Sequence, residues 1–356
     1  MRRFAWVLVF AALIAALLYA FRAPLSTRLL ERVAIQRMTA DPVSALPDGI
    51  HVVLCGAGSP LPDPQRSGPC VAVVAGGKLY VVDAGSGAAR NLLGMNLPPG
   101  AVEAVFLTHF HSDHIDGLGE LALQRWVGGS HEQPLPLVGP TGVDRIARGF
   151  NTAYEPDHGY RVAHHGEQVV PSSGAGFDAH PYPTPSPGSE QTVWEEGGLR
   201  VSAFRVEHPP IDPAVGYRFD YGGRSVVISG DTRKSVEIER MARDVDLLVH
   251  EALAPQLVGV MERAALANGM QNRAKIMADI LDYHASPVEA AQSAQTAGAR
   301  HLLFYHVVPP LLVPGMQAAF LEGVTDAYSG DVSVGRDGTR VWLPPDSSAI
   351  EVSGES

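Results

Sequence analysis

The segment FLTHFHSDHIDGL, residues 106–118, carries His109, His111, Asp113 and His114 within six positions. The chain has 14 histidines in 356 residues, and at that frequency H-x-H-x-D-H arises by accident in about one chain in a thousand. Imidazole nitrogen and carboxylate oxygen are donors that zinc takes, usually four to an ion, with catalytic sites leaving room for water. One loop cannot complete two such ions, so further ligands are expected at other strand ends. His208 ends FRVEH, Asp231 follows SVVISG and His306 ends LLFYH, each directly after an apolar or β-forming run. The chemistry open to such a set is hydrolysis by an activated water.

Strands must hold these residues. IHVVLCGAGSP, CVAVVAGG, KLYVVDAGSG and AVEAVFLTHF read as buried strands, with a Gly-Gly hairpin turn between the second and third. DGLGELALQRWVGG follows as a helix, and PLPLVGPTGVDRIARGFNTAY as a strand, a turn and a helix. Residues 171–188, PSSGAGFDAHPYPTPSPG, are rich in proline and glycine and predict an irregular loop. LRVSAFRVEH, AVGYRFDYGGRSVVISGD, VDLLVHEA and HLLFYHVV restore the strand pattern, and DVSVGRDGTRVWLP predicts a final hairpin. Helices are expected over 234–243, 256–282 and 287–297. Strands followed by mixed strands and covering helices indicate an α/β sandwich.

Composition narrows the partners. The 27 basic and 38 acidic residues leave a net charge of −11, which argues against nucleic acid as the main partner. Two cysteines, Cys55 and Cys70, exclude a disulfide scaffold; they either bridge or sit reduced in the core. Residues 4–21, FAWVLVFAALIAALLYAF, are uncharged, and a helix of that length is about 27 Å long. The expected organisation is therefore a membrane anchor (or signal peptide) at 1–21, a basic juxtamembrane stalk at 22–46, a catalytic domain at 47–345 and a polar tail at 346–356. Leu18-Tyr19-Ala20 is a poor cleavage signal, so an uncleaved anchor with a periplasmic or extracellular catalytic domain is the expectation.

The series H-x-H-x-D-H, His208, SGDT, HEA, YHASPVEAA and FYH resembles the metallo-β-lactamase superfamily, over about residues 50 to 345. The branch it resembles most contains ribonuclease Z and the zinc-dependent arylsulfatases. That resemblance implies an αββα sandwich, here with an N-terminal transmembrane helix, and two zinc ions per chain; iron or manganese also suits the donors. It implies that His109, His111 and His208 bind one ion, that Asp113, His114 and His306 bind the other, and that Asp231 bridges. Asp83, in VVDAGSG, matches an aspartate that braces the ligand loop. Glu251, in HEAL, and His284 match a pair in which the histidine gives a proton to the leaving group, while Asp113 orients the water. His250, beside Glu251, is expected just outside the ligands. Leu253 and Ala285 depart from the hydroxyl residues usual at their positions.

Ribonuclease Z carries a glycine- and proline-rich arm between its GYR and SGDT segments. Here residues 219–229, FDYGGRSVVIS, fill that gap, and residues 171–200 hold four acidic residues against Arg200 alone. The segments LCGAGSPLPDPQRSGPC and GFNTAYEPDHGYRVAHH resemble the arylsulfatase-type members instead, which implies a small ester as substrate, an aryl sulfate first. A ribonuclease Z-like phosphodiester of tRNA is the alternative and a lactone or β-lactam the third; Asp231 stands where zinc β-lactamases typically have cysteine. A non-catalytic metal-binding protein is the reading from a different class. Expected partners are the small ester and, through the N-terminal helix, a membrane; nucleic acid is not expected, and a homodimer is left open. His164 and His165 are assigned to a substrate-side insertion, and His51, His131, His158, His180 and His301 to surface or packing roles.

Overall fold

The structure, a computed structural model, describes residues 2–39 and 41–354, so Met1, Ala40 and the last two residues of the tail lie outside the described residues. The chain divides into two units, Met1–Pro42 and Val43–Ser356.

The first unit holds α1 (Arg2–Ala20) and α2 (Arg22–Thr39). The apolar run stops at Phe21, where the chain bends by 65° into a helix bearing Arg28, Glu31 and Arg32. Among the described residues no single helix is long and apolar enough to cross a membrane, and Trp6–Ala20 and Arg22–Ile35 meet that test only as a bent pair. The expected transmembrane helix is corrected accordingly. The break after Ala20 falls at the end of the apolar stretch, so the helix that follows is the charged one.

In the second unit the strands are β1 (Ile50–Gly56), β2 (Cys70–Ala75), β3 (Lys78–Val82), β4 (Val102–Phe106), β5 (Leu135–Pro140), β6 (Phe177–Tyr182), β7 (Glu190–Glu196) and β8 (Leu199–Arg205). They continue with β9 (Val215–Tyr221), β10 (Arg224–Ile228), β11 (Leu247–Leu253), β12 (His301–Val308), β13 (Asp331–Val334), β14 (Arg340–Leu343) and β15 (Glu351–Ser353). Among the described residues they form one sheet in the order β15-β14-β1-β2-β3-β4-β5-β6 and a second in the order β13-β12-β11-β10-β9-β8-β7. The helices are α3 (Ala88–Gly94), α4 (Ser112–Ile115), α5 (Leu118–Gly129), α6 (Val143–His165), α7 (Val236–Met241), α8 (Pro255–Ala267), α9 (Gln271–Asp279), α10 (Pro287–Ala297), α11 (Met316–Phe320) and α12 (Val324–Ala327).

The architecture is the αββα sandwich. Val52, Val73, Phe106, Phe219 and Leu303 pack between the sheets. The opposite face of the first sheet packs Val53, Val81 and Val105 against Leu92, Leu121 and Val143 of α3, α5 and α6. The second sheet covers its outer face with Ile238 of α7 and Ala290 and Ala294 of α10. Strands covered on both faces need continuous apolar runs rather than alternation, which is why β1, β2, β11 and β12 read as they do. The hairpins β2–β3 and β9–β10 turn through Gly76-Gly77 and Gly222-Gly223, with φ of 59°, 72°, 56° and 73°, the left-handed pair that only glycine adopts freely.

Four expectations change. Residues 171–188 contain β6, an edge strand that tolerates Pro181 because its outer backbone has no partner strand. DVSVGRDGTRVWLP is no hairpin: β13 joins one sheet and β14 the other, with residues 335–339 crossing between them. The helix expected over 256–282 breaks at Gly269 (φ 68°) into α8 and α9. The polar tail contributes β15 to the edge of the first sheet. Cys55 and Cys70, on paired strands with Cα atoms 4.9 Å apart, form a disulfide.

Candidate active site

The ligand residues converge because the ends of β4, β10 and β12 and the loop after β8 open on one edge of the sandwich. From the end of β4 the chain passes His109 and His111 and enters α4, whose single turn carries Asp113 and His114 inward. His208 lies in the loop after β8, Asp231 follows β10 and His306 lies within β12. The ligand atoms of His109, His111, His208 and Asp231 lie within 4.8 Å of one another, and so do those of Asp113, His114 and His306. Asp231 Oδ2 faces Nε2 of His114 and His306 at 3.4 Å, His109 at 3.8 Å and His208 at 3.9 Å. His306 Nε2 is also 3.3 Å from Asp113 Oδ2.

Charge balance inside the cluster is tight. Burial holds the His109 imidazole well below its ordinary pKa, helped by the neighbouring His114 ring. Burial would lower His114 too, but Asp231, Asp83 and Asp113 outweigh it and hold the ring well above its ordinary value. Burial would raise Asp231, yet the imidazoles of His306 and His114 hold it well below the usual carboxylate range. Asp231 Oδ1 and His114 Nε2 are nevertheless buried without a hydrogen-bond partner. Unpartnered buried donors and acceptors facing one another suit a group that binds cations, and the nitrogen and oxygen donors fit two divalent ions of the zinc type.

Around this cluster lies a positioning layer. Asp83 Oδ1 accepts the Thr108 N–H at 2.9 Å, and its Oδ2 accepts the Thr108 hydroxyl at 2.7 Å and Nδ1–H of His114 at 2.8 Å. His208 Nδ1 donates to the Tyr283 carbonyl at 2.9 Å. Each of these imidazoles has one nitrogen committed, leaving Nε2 for the cluster. Asp83 (φ 56°) and His306 (φ 45°) both hold left-handed backbone, so strain is concentrated at the site.

His284 stands beside the cluster with its ring stacked on His306 at 5.5 Å. Its Nδ1 donates to Glu251 Oε1 at 3.0 Å, and the same oxygen accepts the N–H groups of Thr232 and Ala285 at 3.1 and 3.2 Å. Burial would lower the imidazole, but the charge and hydrogen bond of Glu251, with Asp231 beyond, together outweigh it and push it up to about 9. The sequence HASPVE explains its placement: Ser286 and Glu289 form a capping box at the start of α10, with Pro287 at the first helical position. That cap fixes the backbone two residues after His284. Leu253 and Ala285 act through backbone, the Leu253 N–H donating to the Ala285 carbonyl at 2.9 Å. His284, Asp231 and His306 also have ligand atoms within 4.8 Å of one another.

His250 turns the other way on β11, its Nδ1 donating to the Glu251 carbonyl at 2.6 Å. His164 and His165 end α6, exposed and outside the ligand groups. His51 stacks on Trp342, His131 faces the Gly100 carbonyl, His158 packs on Trp126, His180 meets Asp178 and His301 meets Ser333. Sequence reasoning missed Thr108 and Tyr283, although each adjoins a site histidine. It also missed the apolar wall of a cavity of about 290 Å³ that opens on His111, Asp113, Asp231, His284 and His306.

A sandwich that brings these residues to one edge is the frame of a metal-dependent hydrolase, and that is what this chain is. It belongs to the metallo-β-lactamase superfamily: residues 63–269 match the family described as "Metallo-beta-lactamase superfamily". The chain is 34% identical over 298 residues to a protein named Ribonuclease Z from Mycobacterium bovis strain BCG / Pasteur 1173P2, covering 83% of this chain and 99% of that one. Its fold is similar to human tRNase Z, short form (TM-score 0.58, 20% identity, 83% of this chain and 99% of that chain). It is also similar to the metallo-beta-lactamase fold protein YhfI from Bacillus subtilis (TM-score 0.60, 20% identity, 82% and 99%).

These findings correct three expectations. The aryl sulfate ranked first is overturned, because the similarity runs to proteins named Ribonuclease Z along almost their whole length. The exclusion of nucleic acid falls with it: net charge averages over the whole surface, whereas binding depends on local contacts. The membrane-anchored, exported location falls because it rested on one continuous transmembrane helix, and no single described helix meets that requirement.

Proposed function

We propose that this chain is a ribonuclease Z-type phosphodiesterase that cleaves precursor tRNA, with residues 47–345 as its catalytic domain. The observation that carries the reading is the Glu251–His284 pair, hydrogen-bonded at 3.0 Å and set against the ligand cluster, where the leaving oxygen of a diester needs a proton. The 34% identity to a protein of that name supports it.

His109, His111 and His208 would hold one ion and Asp113, His114 and His306 the other, with Asp231 shared. When bound, two such ions supply a water activated near neutral pH and neutralise charge on a phosphate. Zinc is the proposed metal. Asp113 orients the attacking water. Its oxygen bonds to phosphorus as the ester P–O bond breaks, and the leaving oxygen keeps the electron pair and takes the His284 proton. The proton lost by the water restores His284. Glu251 holds the imidazole protonated and fixes its direction, while Asp83 fixes His114.

The test is incubation of the metal-loaded protein with precursor tRNA carrying a 3′ trailer, alongside bis(p-nitrophenyl) phosphate and p-nitrophenyl sulfate. A discrete cut at the base of the trailer, abolished by Asp231→Asn, is expected. Hydrolysis of the small phosphodiester with the precursor left intact would overturn the tRNA assignment.

A further inference from the structure

The cavity beside the ligand cluster has two unlike halves. One is the cluster itself with His284; the other is built from Leu61, Ile276, Met277, Ile280, Tyr283 and Val308. Four residues of the apolar half, Ile276, Met277, Ile280 and Tyr283, come from the segment between β11 and His284, while Leu61 lies between β1 and β2 and Val308 ends β12. Within it, α9 and the turn that follows present Met277 and Ile280 one helical turn apart. Met277 is anchored on Leu253, Val258 and Val308, so the wall is tied to the core. Ile276 is 55% exposed, an isoleucine left in water next to a charged cluster. The Tyr283 ring packs edge-on against His208 at 4.9 Å, which fixes its plane at the junction of the two halves.

We propose that this wall is a nucleobase subsite: it takes the base of the nucleotide at the scissile phosphate and holds it without reading its identity. The inference rests on the phosphodiesterase reading and names what that site grips. At about 290 Å³ the cavity suits one nucleotide, with the phosphate at the cluster and a flat ring on the wall. Hydrocarbon, a polarisable thioether and an aromatic ring attract the face of any base. Reading a base edge would need several fixed donors and acceptors; the wall brings the Tyr283 hydroxyl, and the rest of the lining adds only those of Ser112 and of Ser59, which already accepts the Leu61 N–H at 3.4 Å.

The test is calorimetric titration of the metal-loaded protein with adenosine and uridine monophosphates, in both the 3′ and 5′ series, and with ribose 5-phosphate. In at least one series the nucleotides should bind roughly 5–150-fold more tightly than the sugar phosphate, and within a few-fold of each other. Ile276→Ser with Ile280→Ser should remove that gap and leave ribose 5-phosphate binding unchanged; Ile276→Ser alone, at a half-exposed position, should narrow it without disturbing the fold. Binding of the nucleotides no tighter than ribose 5-phosphate in both series, a gap that survives the double substitution, or a strong preference for one base would overturn the subsite. Base-dependent binding without cleavage of precursor tRNA would keep the subsite and defeat the tRNA assignment. Cleavage of precursor tRNA without base-dependent binding would do the reverse.

Discussion

Asp83→Asn should separate fold from metal affinity. The carboxylate accepts three hydrogen bonds, two from Thr108 and one from His114 Nδ1, which leaves the His114 Nε2 lone pair turned to the cluster. In the variant the amide oxygen can still accept the Thr108 N–H, and the amide nitrogen can donate to the Thr108 hydroxyl. That nitrogen must then donate to His114 Nδ1 as well, so the ring proton moves to Nε2 and blocks the ligand position. Losing a charged acceptor should cost the metal-free protein about 1–3 kcal/mol. The second ion should bind about 10–100-fold more weakly, or about 1.4–2.7 kcal/mol, while the ion on His109, His111 and His208 is nearly unaffected. Stepwise metal titration against a competing chelator reads both ions, and urea denaturation of the metal-free protein reads the fold. Unchanged affinity for both ions would refute the tautomer argument; equal weakening of both would show a general loosening instead.

Three further outcomes can be checked. Elemental analysis of the metal-replete protein should find two ions per chain, and Asp231→Asn should lose one of them and nearly all turnover with the fold intact; one ion in the unsubstituted protein would break the shared-carboxylate scheme. His284→Ala should slow diesters with high-pKa leaving groups about 10²–10⁴-fold more than p-nitrophenyl esters, whose leaving oxygen needs no proton, and equal losses across the series would make the residue structural. Asp246 is held below the usual carboxylate range: burial would raise it, but hydrogen bonds from Arg224 and the Ser225 N–H, with Arg300 beside them, prevail. Because the folded value is the lower one, its stabilisation is present above the ordinary carboxylate pKa. It is lost as pH falls through the depressed value, so Asp246→Asn should cost about 3 kcal/mol at pH 7 and progressively less below about pH 4, measured by denaturant midpoints.

The ligand positions were legible because each polar residue interrupts an apolar run where a buried strand ends. His284 was legible only through the resemblance carried by HEA and YHASPVEAA, and the capping box that fixes its backbone emerged from the structure. The edge strands were not: β7 alternates exposed and half-buried residues, and β6 carries proline and histidine, so neither shows the apolar signature of a central strand. The crossing from β13 to β14 imitates a hairpin locally, and only the pairing of β14 with β1 reveals it. Ile276 and Met277 look like core residues in the sequence; their place beside the cluster depends on a helix break at Gly269. The substrate was misjudged because two global features, net charge and the missing arm, were weighed against nucleic acid.

The short hairpin at Gly222-Gly223 has a consequence in counted ions. An arm that grips a nucleic acid far from the cut neutralises phosphates there, and each neutralised phosphate releases condensed counterions to the solvent. Here β9 and β10 are joined by those two glycines, so no such distant contacts arise from this position. On the proposed function, binding of a folded RNA would draw on contacts near the cut, set fewer counterions free, and weaken less steeply as salt is raised. On that function, recognition of precursor tRNA would be correspondingly weighted towards shape and stacking at the reaction centre.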